Sequence, residues 1–216
     1  VHKKTHKVER FLGKTSILGL GFGMGGPRFN DQVHIAAAQS SIEITMDPVM
    51  AQSVVQLYRS EYPEIPALWR QFEQLFAGIA SGTAAGTRIG PLTIEKQAIL
   101  LPNGMRLFYD DLCYEDGGWR YTFAGKTKFI FGGKATENVV QALARIITME
   151  ASIRIRARLM AFAHQVHDEL IYVVPNRFVT MAEQILLEEM RRRPEWAPDL
   201  PLDAEVGKGP NYGEAK

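Results

Sequence analysis

The sequence predicts an α+β fold, because apolar residues recur at helical spacing on both sides of a strand-rich segment, 84–131. In that segment Thr, Ile, Leu, Phe and Tyr alternate with glycine-containing turn pairs, which is typical of strands joined in hairpins. The pattern changes near 81–86 without a low-complexity linker. We therefore predict two domains, a helical one over 1–85 and one of hairpins and further helices over 86–216.

Composition excludes several classes of protein. The chain has 216 residues, of which 46% are hydrophobic and 23% charged, so it is neither disordered nor collagen-like. The single cysteine, Cys113, excludes an intramolecular disulfide and a cysteine-rich zinc site. Without about 18 consecutive apolar residues, no membrane span is expected. The chain starts at Val1 without a signal peptide, and we expect a fragment or a processed product.

The net charge of +1 excludes a global basic surface for nucleic acid, so anions must bind at local clusters. One cluster lies on the first predicted helix, where Arg10 and Lys14 share a face. Leu18 and Phe22 continue that stripe. Two cations on successive turns can bind a triphosphate, and the apolar positions can contact a base or sugar. A solvated basic face is the alternative.

A P-loop is rejected for this helix. Gly13-Lys14-Thr15 matches the end of that motif, but Val8 stands where the motif requires its first glycine.

Two helices are predicted before the strand-rich segment. Asp47-Pro48 indicates a helix start, with Asp as the N-cap and Pro in the first helical position. A second helix is expected from 67 to 80, ending at Ser81-Gly82. The predicted apolar stripes are Met50, Val54, Leu57 and Tyr58 on the first helix and Leu68, Phe72, Leu75 and Ile79 on the second.

Turn pairs predict the hairpins at Gly90-Pro91, Asn103-Gly104 and Gly117-Gly118. A long helix is expected after Gly132-Gly133, extending to Leu159. Gln141 interrupts its apolar pattern. If buried, this amide needs partners, and it could reach a base edge in a minor groove; a polar helix face is the alternative. Four arginines that could contact a phosphate backbone or face solvent are Arg145, Arg154, Arg156 and Arg158.

The segments 161–166 and 170–174 predict a hairpin with His167, Asp168 and Glu169 at its tip. Adjacent carboxylates at a turn can share a divalent cation, and Mg²⁺ needs only one or two of them together with substrate phosphates and waters. An ordinary acidic hairpin tip is the alternative.

The rest of the chain predicts a last helix over 182–193 and a tail from 200 to 216 that forms a short strand followed by a polar loop. A rival acidic pair, Asp110-Asp111, is expected to face solvent.

Other catalytic classes receive little support. No HExxH motif occurs. His2 and His6 are four residues apart, but the single cysteine cannot complete a zinc site with them, so a zinc site is disfavoured. His164 and His167 point to opposite faces if they lie on one strand. The absence of a G-x-S-x-G sequence disfavours a serine hydrolase.

Together these segments resemble the C-terminal part of family A DNA polymerases, especially those of bacteriophages. Residues 10–25, Arg-Phe-Leu-Gly-Lys-Thr-Ser-Ile-Leu-Gly-Leu-Gly-Phe-Gly-Met-Gly, resemble the family's motif B, and 165–170, Gln-Val-His-Asp-Glu-Leu, resemble motif C. The segment 58–69 is similar to the helix after motif B, and 204–216 is similar to the family's C-terminus. The order and spacing agree over nearly the whole chain.

The resemblance implies a helical fingers subdomain, 1–85, packed on an antiparallel-sheet palm fragment, 86–216. It implies template-directed transfer of nucleotides from dNTPs to a primer 3′-hydroxyl on primer–template DNA. The resemblance also implies roles for single residues. Arg10 and Lys14 would bind the dNTP phosphates, with Lys14 also protonating the leaving pyrophosphate, while Leu18 would lie near the sugar and Phe22 at the templating base. Gln141 would lie in the minor groove, His167 would contact the primer terminus, and Asp168 and Glu169 would hold a two-metal Mg²⁺ site.

Three departures from the family pattern matter. Leu18 replaces the usual Phe or Tyr, which puts sugar discrimination in doubt, and Phe22 replaces a tyrosine and loses its hydroxyl. The largest departure is the missing motif A, whose aspartate would complete the metal site. We therefore expect the chain to be inactive alone and to need the N-terminal half of the polymerase, either covalently or as a separate chain.

Two alternatives to an active segment stay open. One is a catalytically inactive nucleotide- or DNA-binding module, and the other is a structural subunit that completes a partner polymerase. The family resemblance also implies a cytoplasmic location, in a bacterial or phage-infected host cytosol.

Overall fold

A computed structural model describes residues 5–159 and 162–215, and over these ranges it confirms an α+β fold with six α-helices and three small antiparallel sheets. The helices are α1 Lys7–Leu20, α2 Gly26–Gln39, α3 Pro48–Glu61, α4 Glu64–Ser81, α5 Gly132–Leu159 and α6 Val179–Arg191, with one 3₁₀ turn at Asn176–Phe178. The strands are β1 Arg88–Ile89, β2 Leu92–Glu95, β3 Ala98–Leu100, β4 Arg106–Phe108, β5 Asp110–Glu115, β6 Gly118–Phe123, β7 Lys126–Ile130, β8 Phe162–Val166 and β9 Glu169–Tyr172. Val1, His2 and the start of the predicted 161–166 strand lie outside the described residues.

The chain folds into two units that interleave along the sequence. The first contains the described residues of Val1–Thr87, Ile94–Ile99 and Leu107–Val139, and the second those of Arg88–Thr93, Leu100–Arg106 and Val140–Lys216. The domain boundary at 85/86 stays a prediction. No helix in the described ranges is long and apolar enough to cross a bilayer.

Helix α3 begins as predicted, since Asp47 Oδ1 accepts a hydrogen bond of 2.7 Å from the Met50 amide and Pro48 follows directly. Its predicted apolar stripe is partly wrong, because Met50 and Leu57 are 44% and 60% exposed. The buried face lies one position further on and packs against α2. The core shared by α1, α2 and α3 consists of Leu20, Phe29, Val33, Met46, Ala51, Val55 and Tyr58.

Helix α2 was not predicted, because its first residues belong to a glycine-rich stretch. Pro27 lies in its first turn, and Phe29, Val33 and Ala37 recur every four residues on its buried face. The prediction that Phe22 continues the helical stripe of Arg10, Lys14 and Leu18 is also wrong. Helix α1 ends at Leu20, and Gly23 adopts a φ of +87° in the following turn.

Helix α4 matches its prediction closely. Phe72 and Ile79 are buried, Leu68 and Leu75 are half-buried, and the helix ends at Gly82 with a φ of +90°. It starts a few residues earlier than predicted because a proline in the first helical turn loses no intrahelical hydrogen bond.

The strand-rich segment contains the predicted hairpins. β1–β4 form one sheet in chain order, and β5, β6 and β7 form a second. Turns occur at Gly90-Pro91 and Asn103-Gly104, and the third lies one residue earlier than predicted, at Asp116-Gly117. In the second sheet Trp119 pairs with both Tyr114 and Ile130.

In the second unit, α5 packs against α6 through a small core of Ala151, Ile155 and Ile185. The predicted hairpin forms from β8 and β9. The strand predicted after residue 200 is wrong: the described tail, up to 215, contains no strand. The Arg191 side chain holds this backbone instead, donating 2.7 Å to Asp203 and 2.8 Å to the Ala204 carbonyl.

Candidate functional site

Helix α1 presents three of the predicted site residues to solvent. Arg10, Lys14 and Leu18 are spaced four residues apart, are all exposed, and lie on adjacent turns of one face. Neither cation forms a hydrogen bond or ion pair with its side chain to any residue of the described chain. These charges are therefore available for an external anion.

The turn after α1 is fixed by residues that are distant in sequence. The Trp69 indole of α4 donates 3.1 Å to the Gly21 carbonyl. The first residues of α5 approach the same turn, since a Cβ on Gly133 would lie 2.5 Å from the Phe22 carbonyl oxygen. A Cβ on Gly23 would meet the Phe131 ring at 3.1 Å. The backbone that carries Phe22 is thus held in place by close packing.

A cavity of about 510 Å³ adjoins this turn within the first unit. Leu18 and Phe22, predicted separately for sugar and base contacts, both line it, whereas Arg10 and Lys14 are not among its lining residues. The other lining residues are Gly19, Gly23, Met24, Gly25, Arg28, Phe129, Phe131, Lys134 and Glu137.

Sequence reasoning did not identify Phe129, Phe131 and Lys134 as lining residues of this cavity. Phe129 and Phe131 stay 65% and 46% exposed, and Lys134 forms an ion pair of 3.0 Å with Glu137. The sequence signal that could have identified these residues is the run of phenylalanines and lysines within 126–134. A volume of this size and a lining of aromatics and cations suit a nucleotide or one nucleotide of a strand.

The second group of predicted residues lies at the β8–β9 turn, in the second unit. Val166 pairs with Glu169, so His167 and Asp168 form the two-residue turn, and His167 has a φ of +51°. The Gln165 side chain donates 2.9 Å to the His167 carbonyl and so supports the turn. His167, Asp168 and Glu169 are all exposed.

The two carboxylates of this turn differ in their contacts. The Tyr212 hydroxyl donates 2.5 Å to Glu169 Oε2, and this hydrogen bond raises the pKa of Tyr212 above its ordinary value. The Asp168 carboxylate forms no hydrogen bond or ion pair with any described residue. Asp168 is therefore open to an external ligand, while Glu169 is tied to the tail.

These donors fit part of a magnesium site. Carboxylate oxygens are the ligands that Mg²⁺ prefers, and one or two suffice where water and phosphate complete the octahedron. Within residues 5–159 and 162–215 no group of three or more His, Cys, Asp or Glu side chains could hold a metal ion. The turn alone thus supplies too few protein ligands for two metals.

Gln141 lies on α5 and is exposed, so the interpretation of it as a buried amide is wrong. The buried positions Val139 and Ile146 are seven residues apart and share a face, and Gln141 projects from a different side of the helix.

The arginines of this helix also differ from one another. Arg154 and Arg158 form ion pairs with Glu189 of α6, each at 2.8 Å. These two guanidinium groups are engaged within the protein. Arg145 and Arg156 are exposed and form no ion pair with any described residue.

Comparison of the chain with models of protein families, with curated proteins and with solved structures finds no match.

Proposed function

We propose that this chain is the fingers and part-palm segment of a family A DNA-directed DNA polymerase. It would take part in transfer of nucleotides from dNTPs to a primer 3′-hydroxyl during DNA replication. The observation that carries the proposal is the exposed α1 face, on which unpaired Arg10 and Lys14 precede Leu18 at the edge of an aromatic cavity. Residues 1–85 would correspond to the fingers and 86–216 to the palm fragment.

On α1, the roles follow from the side-chain chemistry. Arg10 binds phosphate oxygens through its planar fork, and Lys14 binds them as a point charge and can pass a proton to the leaving pyrophosphate. Leu18 and Phe22 line the same cavity, so the sugar would contact Leu18 and the templating base would stack on the Phe22 ring. These groups act by positioning the triphosphate and neutralising its charge.

At the β8–β9 turn, Asp168 would hold Mg²⁺ directly, and Glu169 would assist from the neighbouring strand position. When bound, the metal ion neutralises phosphate charge and lowers the pKa of the primer hydroxyl. His167 occupies the same turn and would contact the primer terminus. Gln141, exposed on α5, would reach the minor groove of the nascent pair.

The chain alone is expected to polymerise nothing, because the turn provides too few ligands for a two-metal site. An upstream half that contains motif A and its aspartate would supply the rest. This half is the partner that the proposal requires, together with primer–template DNA and dNTPs.

Complementation tests the proposal. The chain is mixed with an upstream family A half that carries motif A, and extension of a labelled primer is measured with Mg²⁺. Extension is expected only in the mixture, and Asp168→Asn should reduce it roughly 100-fold or more, since it removes a charge that the transition state needs. Asp110→Asn, an exposed acid on β5, is the matched control and should extend normally.

DNA binding without extension in every mixture would favour a catalytically inactive binding module instead. A mixture that is equally active with Asp168→Asn would favour the structural-subunit alternative.

Lys14→Ala separates phosphate binding from DNA binding in the same assay. The ratio kcat/KM for dNTP should fall about 100-fold, through a higher KM and a slower extension rate. The Kd for primer–template should stay nearly unchanged. Lys96→Ala, which removes an exposed cation of the first unit outside α1 and the β6–β7 hairpin, is the control. Equal losses in nucleotide use and DNA affinity would show that Lys14 belongs to a general DNA-contacting face.

A further inference from the structure

Residues 117–136 differ in composition from the rest of the chain. They contain four cations and no acid, and they also contain five aromatic residues. The cations are Arg120, Lys126, Lys128 and Lys134, and the aromatics are Trp119, Tyr121, Phe123, Phe129 and Phe131. This segment forms the β6–β7 hairpin and the start of α5, all within the first unit.

The hairpin buries only part of its aromatic surface. Trp119 packs against Phe76 with ring centroids 5.7 Å apart, and Tyr121 packs against Tyr109 at 5.1 Å. In contrast, Phe123 and Phe129 are 60% and 65% exposed. Large aromatic side chains on a solvent-facing hairpin add nothing to a core, so another role explains them better.

Cations accompany the exposed rings. Lys126 pairs with Phe123 across the hairpin, and Lys128 is the next residue on the same face. Both lysines are exposed, and neither forms an ion pair or hydrogen bond with its side chain to any residue that the structure describes. On the opposite face the Arg120 guanidinium stacks over the Phe129 ring, 4.7 Å from its centroid.

Acidic side chains lie next to this segment at both ends of the hairpin and at the start of α5: Glu115 and Asp116 at the β5–β6 turn, Asp110 opposite Thr122, and Glu137, which pairs with Lys134 at 3.0 Å. Arg120 forms ion pairs of 3.1 Å with Glu115 and 2.8 Å with Asp116, at the β5–β6 turn. Asp110 and Thr122 share the face opposite Phe123, so the unpaired positive charge on the Phe123 face comes from Lys126 and Lys128.

The exposed rings continue into the cavity beside α1. Phe129 and Phe131 line it together with Leu18, Phe22 and Arg28. A flat lipid surface could contact the hairpin tip but could not follow this path into a concavity. A flexible polyanion with planar side groups can contact the hairpin tip and also enter the cavity.

We propose that the β6–β7 hairpin binds an unpaired DNA strand that passes around the edge strand β7: one base stacks on Phe123, Lys126 and Lys128 bind phosphates on that face, and another base stacks on Phe129 on the opposite face. Exposed aromatics interleaved with cations are the recurring basis of single-strand binding without sequence preference, because every base has a face that can stack. The proposal goes beyond nucleotidyl transfer and does not require it.

The test uses the whole chain and fluorescence anisotropy of a 5′-fluorescein-labelled oligo(dT), without divalent metal or dNTP. Saturable binding is expected, and Phe129→Ala and Phe123→Ala should each weaken it about 10-fold, as loss of one stacked base predicts. Phe108→Ala, which removes a 59% exposed ring outside the hairpin, is the matched control and should bind normally. Phe129→Trp should restore binding.

Salt dependence tests the lysines. The double variant Lys126→Gln/Lys128→Gln should weaken binding and lower the slope of log Kd against log salt by roughly 1.4, or about 0.7 for each lost phosphate contact. Far-UV circular dichroism verifies that each variant is folded.

Three results would overturn the proposal: no binding to oligo(dT), the same loss in Phe108→Ala as in Phe129→Ala, or binding to vesicles of phosphatidylcholine and phosphatidylserine that outcompetes the oligonucleotide. Because the assay contains neither metal nor dNTP, its failure leaves the complementation test of nucleotidyl transfer unaffected.

Discussion

The turn after α1 and the turn between β8 and β9 both present candidate site residues, but they are supported in different ways. The first is held by α4 and α5 through the Trp69 indole hydrogen bond and two closely approached glycines. The second is a two-residue turn supported mainly by the neighbouring Gln165 and by one contact from the tail. A turn held by distant packing tolerates fewer substitutions than one held by its own hydrogen bonds.

The cores behind the two turns differ in the same way. The first unit buries large aromatic side chains, including Phe72, Phe76 and Tyr109. In the second unit the α5–α6 contact has a small apolar core, and the buried carboxylate of Glu189 binds two arginines beside it. We therefore expect packing changes to be most damaging in the first unit and charge changes to be most visible in the second.

The largest effect is expected from Gly132→Ala. The new Cβ would overlap the Trp69 carbonyl, and backbone atoms on both sides cannot move apart without disturbing α4. We expect the free energy of unfolding to fall by about 3 kcal/mol or more, measured by urea denaturation.

Gly13→Ala is the matched control, because a Cβ on Gly13 meets nothing within 4 Å and the residue lies inside α1. It should stabilise the protein by about 0.5–1 kcal/mol. If Gly132→Ala unfolded at the wild-type urea concentration, the close packing around Trp69 would be refuted.

This contrast also explains which features the sequence reveals. The α4 stripe and the β8–β9 hairpin follow from local spacing, because a helix or hairpin needs only nearby residues to set its pattern. The bond from Trp69 to Gly21 joins residues 48 positions apart, and nothing in their spacing indicates it. Gly132-Gly133 was visible as a helix start, but its role as a close contact depends on what packs against it.

The errors have the same origin. The α3 face was misplaced because α2, hidden in a glycine-rich stretch, determines which side of α3 is buried. A strand was expected in the tail after residue 200, yet the Arg191 side chain binds that backbone at the Ala204 carbonyl. For the site, α1 and the hairpin tip were located by sequence, whereas the wall formed by Phe129 and Phe131 required the fold.

The second prediction concerns alkaline pH and the first unit. Burial raises the pKa of Tyr109 to about 12, although a hydrogen bond from Asn138 opposes the shift. In the unfolded chain the group ionises near its ordinary value of 10.0. Between these values the unfolded state loses the proton first, so the free energy of unfolding falls as pH rises, by about 2–3 kcal/mol in total.

Tyr109→Phe should remove this loss, so that the unfolding free energy of the variant falls less steeply with pH than that of the wild type. The measured quantity is the difference in their pH slopes, since Tyr58 and Tyr172 also have raised pKa values and are common to both proteins. Tyr114→Phe, at a 63% exposed position, controls for the loss of one hydroxyl. An unchanged slope in Tyr109→Phe would contradict the buried placement of this side chain.

The smallest effect is expected in the second unit, from Glu189→Gln, and it has the opposite pH dependence. Burial alone would raise the pKa of Glu189, but hydrogen bonds from Arg158 and Arg154 outweigh it, and the pKa lies below its ordinary value of 4.5. The stabilisation is therefore complete above that value and is lost as pH falls through the lower, folded pKa.

At neutral pH the variant should lose about 1–2 kcal/mol of unfolding free energy, a modest amount because both arginines are partly exposed and can be rehydrated. At about pH 3 the gap from wild type should narrow, since protonated Glu189 resembles glutamine. Glu188→Gln removes a 65% exposed partner of the same Arg158 and should change stability by less than about 0.5 kcal/mol. A gap that stays constant with pH would mean that packing, and not charge, stabilises the α5–α6 contact, and the contrast between the two units would disappear.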